Sequence, residues 1–130
     1  MQNCTPHDIH VYNDEGTEII ETYPRSGHVL RLTEEPQKQI GELLTENGKT
    51  IPVVSQQEFG DVEGLPSCKD GHCPDILVSM LAALKLKETR SWPGAVFGPD
   101  TGKEAVRAEN GQIIGTTRLI QYCARRALNM

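Results

Sequence analysis

The sequence predicts a β-dominated α+β domain, built from antiparallel hairpins and a meander with one or two short helices. Three observations carry that expectation. Short runs of alternating apolar and polar residues recur, clusters of Gly, Pro and Asn punctuate them, and Asn110-Gly111 stands between two strand-like segments. Asn-Gly so placed is a strong hairpin signal, because a two-residue type I′ turn needs positive φ at both central positions.

Taken in order, residues 8–13 alternate with period 2, with Ile9 and Val11 on one face and Asp8, His10 and Tyr12 on the other. Asn13 to Gly16 turn the chain, 17–23 return as a partner strand, Pro24 to Gly27 break it, and 28–32 add a third strand to a meander. Thr33 reads as an N-cap, with Glu34, Glu35 and Pro36 in the first turn. Ile40, Leu43 and Leu44 then give a helical stripe that ends at Asn47-Gly48. Residues 51–55, containing Pro52, predict an edge strand, and the glycines and prolines of 58–74 predict a loop. The apolar run 75–79 predicts a buried central strand, and Ser79 caps a helix over 80–87, rich in good helix formers. Trp92-Pro93-Gly94 ends that segment, and 95–97 lead to a final hairpin over 103–122.

Counting outward from Asn110-Gly111 sets Ala108 opposite Ile113, Arg107 opposite Ile114, Ala105 opposite Thr116 and Lys103 opposite Arg118. Val106, Ala108, Ile113 and Leu119 then share one face, and Lys103, Arg107, Thr116 and Arg118 the other.

A chain of 130 residues predicts a single domain spanning 1–130. Hydrophobic content of 37% with 24% charged residues describes a soluble globular protein. No apolar run approaches the roughly 20 residues that span a bilayer. The N-terminus shows neither a basic nor an apolar leader region, so a cytoplasmic, reducing setting is expected. A net charge of −5 argues against binding a nucleic acid polymer, and leaves room for a local cationic pocket. Arg125-Arg126 reads as a solvated basic tail. The four cysteines are expected as free thiols, with Cys68 and Cys73 closing a short loop only in a secreted protein. Homo-oligomerisation stays open.

Thr5-Pro6-His7-Asp8, Ser26-Gly27, Gly64-Leu65-Pro66, Val78-Ser79, Gly98-Pro99-Asp100-Thr101-Gly102, Arg107, Asn110 to Gly115 and Arg118-Leu119 form separated patches along most of the chain. In these the chain resembles a group of small, mostly uncharacterised proteins of bacterial, phage and fungal genomes. The resemblance implies a compact domain and no particular activity. Members of that group carry an aliphatic residue where this chain has Cys4, which speaks against a metal role for it.

Four constellations invite chemistry. Arg107 and Arg118 have the forked geometry to grip a phosphate or carboxylate, with Lys103 as a point charge and the turn over Gly98–Gly102, holding Asp100 and Thr101, supplying backbone N–H groups. The alternative is a solvated sheet face whose arginines pair with nearby acids. His7 is a candidate general base or acid, although Asp8, as its neighbour on a strand, points to the opposite face. The alternative is a turn residue at the domain edge. Cys4, His7, His10, Cys68, His72 and Cys73 supply zinc-ligand types, but at spacings that match no strong zinc signature, so no metal is expected. Ser79 follows a strand and precedes a helix, yet lacks the glycines of a nucleophile elbow. No cofactor motif occurs.

Together these residues predict binding of a small anionic ligand, nucleotide-like in class, through Asp100, Thr101, Lys103, Arg107 and Arg118 and without covalent chemistry. Tyr122 or Trp92 would receive the ligand's ring. Sequestration of a signal is the role that the genomic company of the resembled group suggests. The rival expectation is a small hydrolase, lyase or isomerase using His7 with Asp100. A third is a partner-binding structural module.

Overall fold

Ile76, Leu77 and Val78 are completely buried, and the rest of the architecture is arranged around them. The computed structural model describes residues 1–126. Strand β8 (Ile76–Leu77) lies inside a four-stranded sheet, flanked by β1 (Gln2–Asn3) and β9 (Val96–Pro99), both parallel to it. Strand β12 (Leu119–Cys123) closes that sheet antiparallel to β9. The buried central strand expected at 75–79 is therefore present. It feeds helix α1 (Met80–Thr89), where Ser79 accepts the Ala82 N–H at 3.5 Å as the expected N-cap. Arg90 closes the helix in the left-handed conformation, its N–H donating to Leu86 O. Ala82, Ala83 and Leu86 seal the helix onto a core with Cys4, Leu30, Trp92 and Val96.

The second four-stranded sheet runs β10 (Ala105–Arg107), β11 (Ile113–Thr116), β2 (Ile9–Tyr12), β3 (Ile19–Tyr23). The β2–β3 hairpin forms as expected, with Asn13 Oδ1 accepting from the Thr17 and Glu18 N–H groups in the turn. The third strand of the expected meander does not join it. Gly27, at φ +90°, turns the chain away, and Leu30 N–H bonds to Cys4 O beside the first sheet instead.

Residues 31–63 form a long two-stranded arm, which corrects two expectations. Strand β4 (Arg31–Glu34) pairs antiparallel with β7 (Phe59–Glu63), and β5 (Gln39–Leu44) pairs antiparallel with β6 (Thr50–Val54). No helix starts at Thr33, and 58–74 is not all loop. Ile40, Leu43 and Leu44 mimic a helical stripe, but Gly41 weakens a helix and Ile51, Val53 and Val54 offer a β-branched partner run. Gly48, at φ +74°, makes the turn that joins them.

The final hairpin is corrected in two ways. Only Gly111, not Asn110, takes a positive φ, so the turn is not type I′. The Ala108 N–H bonds to Gln112 O, Arg107 falls opposite Ile113, and a bulge restores the expected pairing of Ala105 with Thr116. Beyond Thr116 the strand leaves this sheet altogether. Within Thr117 and Arg118 the chain crosses over and enters the first sheet as β12. Lys103 and Arg118 consequently do not pair: Thr117 N–H bonds to Glu104 O, and Arg118 O accepts from Asp100 N–H.

The cysteine expectation is also overturned, since Cys68 and Cys73 form a disulfide. Asp70 and Gly71 both adopt positive φ, and Lys69 and His72 exchange backbone hydrogen bonds across them. Such a two-residue turn sets its flanking residues side by side, within reach of an S–S bond. Cys4 and Cys123 are unbonded. No helix among the described residues is long and apolar enough to cross a membrane.

Candidate functional site

The predicted site residues are dispersed over several surfaces. Asp100 and Arg118 do come together: Arg118 Nε donates to Asp100 Oδ2 at 2.7 Å. The guanidinium holds the Asp100 carboxyl below its ordinary range, and the Gly102 N–H donated to Oδ1 acts in the same direction. Arg107 instead donates to Gly111 O at 2.8 Å and braces its own turn. Lys103 lies elsewhere again, along a shallow surface with Asp14, Glu15 and Glu104. The expected cluster of three cations is thus dispersed, because the strand that was to hold Arg118 opposite Lys103 changes sheets first.

His7 and Thr101 line one cleft of about 410 Å³, together with Asp8, His10 and Gln112. Two buried polar residues shape its walls. Asn3 donates to His7 O and Tyr23 O at 2.8 and 2.7 Å and accepts the Thr5 N–H at 2.9 Å, so it fixes the Thr5-Pro6-His7 bend. Thr116 Oγ1 lies 2.6 Å from Asp100 O and 2.9 Å from Arg118 O, fixing the opposite turn. Gly115 is obligatory in this wall, since a Cβ there would sit 2.5 Å from the Tyr12 ring and 2.6 Å from His10 O. Sequence reading missed Asn3 and placed Thr116 on the cationic face without its burial, since nothing in their spacing announces burial. No lysine or arginine lines this cleft.

A second cleft, of about 400 Å³, gathers the positive charge. It lies at the C-terminal end of α1, between that helix and the end of β12, and Lys87, Arg90, Arg125 and Arg126 all line it. Trp92 and Tyr122 supply its aromatic walls. Gly98 lets Tyr122 lie close, because a Cβ at that position would stand 2.9 Å from the ring.

Arg125 and Arg126 are not a solvated tail. Arg125 Nη2 donates to Asp75 Oδ1 at 2.6 Å and to Cys73 O at 2.7 Å. Arg126 Nη2 donates to Arg90 O and Trp92 O, covering carbonyls just past the helix end. Trp92 Nε1 donates to Pro74 O at 3.0 Å. The segment Cys73-Pro74-Asp75, adjoining the disulfide, therefore holds both Trp92 and Arg125 in place. The side chains of Lys87 and Arg90 make no hydrogen bond or ion pair with other described residues. Sequence reading missed Lys87 and Arg90, whose signal, basic residues at a helix C-terminus, has the commoner meaning of dipole compensation.

Burial raises the Cys4 thiol to about 11, against a smaller opposing hydrogen bond with Ser26. It stays protonated at neutral pH, which disfavours it as a nucleophile there.

Compared with known proteins, the chain matches no family model, and neither a curated protein nor a solved structure is significantly similar to it. The functional reading accordingly rests on this chain's own residues.

Proposed function

We propose that the protein binds a small anionic, ring-bearing ligand of nucleotide-like class in the cleft between the end of α1 and the end of β12, without covalent chemistry. The observation that carries this is the meeting of four cationic side chains with Trp92 and Tyr122, in a chain whose net charge is −5. Concentrating cations against the overall balance is unfavourable unless an anion offsets the repulsion. Asp75 compensates Arg125, and Lys87 and Arg90 are left to meet a ligand. Guanidinium groups grip phosphate oxygens, and an aromatic wall accepts a ring.

The enzymatic alternative through His7 and Asp100 has less support. Asp100 is tied by Arg118 and Gly102 and is kept ionised, so it has no proton to donate at neutral pH.

Trp92 is the only tryptophan, so its fluorescence reports directly on this cleft. A nucleoside monophosphate should change that signal saturably and be recovered unaltered, with inorganic phosphate or the bare nucleoside acting more weakly. The Lys87→Ala/Arg90→Ala double variant should lose roughly tenfold or more in affinity, the scale of one charge-assisted hydrogen bond. Absence of any response to all three probes would defeat the proposal.

A further inference from the structure

The disulfide stands between the solvent and the cationic cleft. Cys68 is exposed, whereas Cys73 is buried in the core, so the bond presents its Cys68 end to solution. The loop it closes, 69–72, is exposed throughout, and the backbone hydrogen bonds between Lys69 and His72 stay within it.

The residues that follow the bond are built into the cleft. Cys73 O accepts from Arg125 Nη2 at 2.7 Å, Pro74 O from Trp92 Nε1 at 3.0 Å, and Asp75 Oδ1 from Arg125 Nη2 at 2.6 Å. Gly94 packs so closely here that a Cβ would stand 2.5 Å from Pro74 O and 2.8 Å from Trp92 Nε1. Asp75 is held independently by the first sheet, because Gln2 N–H donates to its carbonyl and Ala95 N–H to its carboxylate. Cys73 and Pro74 have no such anchor. Proline carries no N–H, and the Cys73 N–H bonds to no described backbone group. The S–S bond to Cys68, two residues beyond buried Pro66, therefore sets where these two carbonyls stand.

We infer that the Cys68–Cys73 bond is a redox site that controls the shape of the cleft lined by Trp92 and Arg125, and through it the affinity for an anion. The affinity part rests on the anion-binding reading of that cleft. The reductant is a dithiol. One of its thiolates attacks the exposed Cys68 sulfur, the S–S bond breaks, and Cys73 leaves as a thiolate that takes up a proton. The reductant's second thiolate then displaces Cys68 from the mixed disulfide. Two electrons and two protons thus pass to the protein, and the dithiol becomes a disulfide.

With the bond gone, the Cys73 and Pro74 carbonyls no longer hold Arg125 and Trp92 in register. A ligand must then order those side chains itself, which weakens binding. Linkage makes the effect reciprocal, so a bound anion favours the disulfide by the same factor. The oxidised protein takes up its ligand and the reduced protein releases it.

Two measurements on the full chain, with and without dithiothreitol, test this. Acrylamide quenching of Trp92 reads the cleft without any ligand and should rise on reduction. Titration with adenosine monophosphate should give an affinity about two- to tenfold weaker in the reduced protein, the scale of ordering one side chain. At tenfold, saturating nucleotide should lower the midpoint potential of the bond by about 30 mV. Cys68→Ser should match the reduced wild type and ignore dithiothreitol, with circular dichroism unchanged throughout. Unchanged quenching, equal affinity in the two forms, or loss of the fold on reduction would each overturn the inference. Quenching that rises on reduction in a protein that binds no nucleotide would defeat the anion-binding reading and uphold redox control of the cleft's shape.

Discussion

The arm over 31–63 and the core around α1 are made of similar letters and meet opposite fates. Ile76, Leu77 and Val78 are an aliphatic run in and just after a strand, and Ile51, Val53 and Val54 are aliphatic residues of another. The first three are completely buried, whereas the second three are 38–51% exposed. The difference lies in what each segment can reach. Strand β8 has a parallel neighbour on either side and α1 packed over its sheet, whereas β6 has β5 alone. Composition decides whether a segment extends, and connectivity decides whether it is covered.

The largest test of that contrast compares one substitution in each region. Leu86→Ala, at a position 1% exposed in the core, should lower unfolding stability by about 2–5 kcal/mol. Leu43→Ala on the arm should change it by less than about 0.5 kcal/mol. Urea unfolding followed by circular dichroism separates the two. Similar losses at both positions would mean that the arm is part of the cooperative core.

Asn3 sharpens the contrast for polar groups. It is 2% exposed and holds the Thr5–His7 bend through several hydrogen bonds, so Asn3→Ala should cost about 1–3 kcal/mol. Asn47→Ala, at the arm's exposed tip turn, should cost a few tenths at most. Equal thermal shifts for the two would count against a pinning role for Asn3.

The disulfide gives a comparable effect. Closing a loop with a sequence separation of 5 restrains the unfolded chain by about 2 kcal/mol. Reduction should lower stability by that order and loosen the Cys73–Asp75 segment. Hydrogen exchange should quicken around Trp92 and leave the arm unaffected. A change confined to 68–73 would show that the segment is held without the bond.

The smallest effect concerns acid. Burial raises the Asp75 carboxyl, but the bonds from Ala95 N–H and Arg125 outweigh it and leave the group below its ordinary value. A depressed carboxylate contributes stability above its unfolded value of about 3.9, and that contribution is lost as pH falls through the folded value. Asp75→Asn should therefore flatten the acid limb of the stability profile below about pH 4. Its slope from pH 5 to 8 should not change, and a change there would point to a different group.

Much of the core was legible. Ser79 as a cap, the buried run at 75–79 and the β2–β3 turn all follow from local letters, because the covering elements agree with local preference there. The arm was misread where three aliphatic residues fell by chance at helical spacing, although Asn47-Gly48 followed by 51–54 carried the same hairpin logic as Asn110-Gly111. Asp70-Gly71 carried it too, and would have placed Cys68 beside Cys73. The cationic cleft was illegible for another reason. Lys87, Arg90, Arg125 and Arg126 come from two segments joined only by tertiary packing, and neither segment has a periodicity that refers to the other. The dispersal of Lys103, Arg107 and Arg118 likewise follows from a crossover at Thr117-Arg118, where the alternation of side chains gives no warning.

That crossover has a consequence for synthesis. Strand β11 is the neighbour that β2 needs on its inner side, and β12 is the strand that closes the sheet of β1, β8 and β9. Both lie within residues 113–123, far along the sequence from β1 and β2. At roughly 5–20 residues per second, the ribosome holds the first hundred for several seconds with neither sheet complete. The nascent chain thus carries unpaired strand edges until residues 113–123 emerge, and pairing across about a hundred residues then places its folding among the slower small proteins.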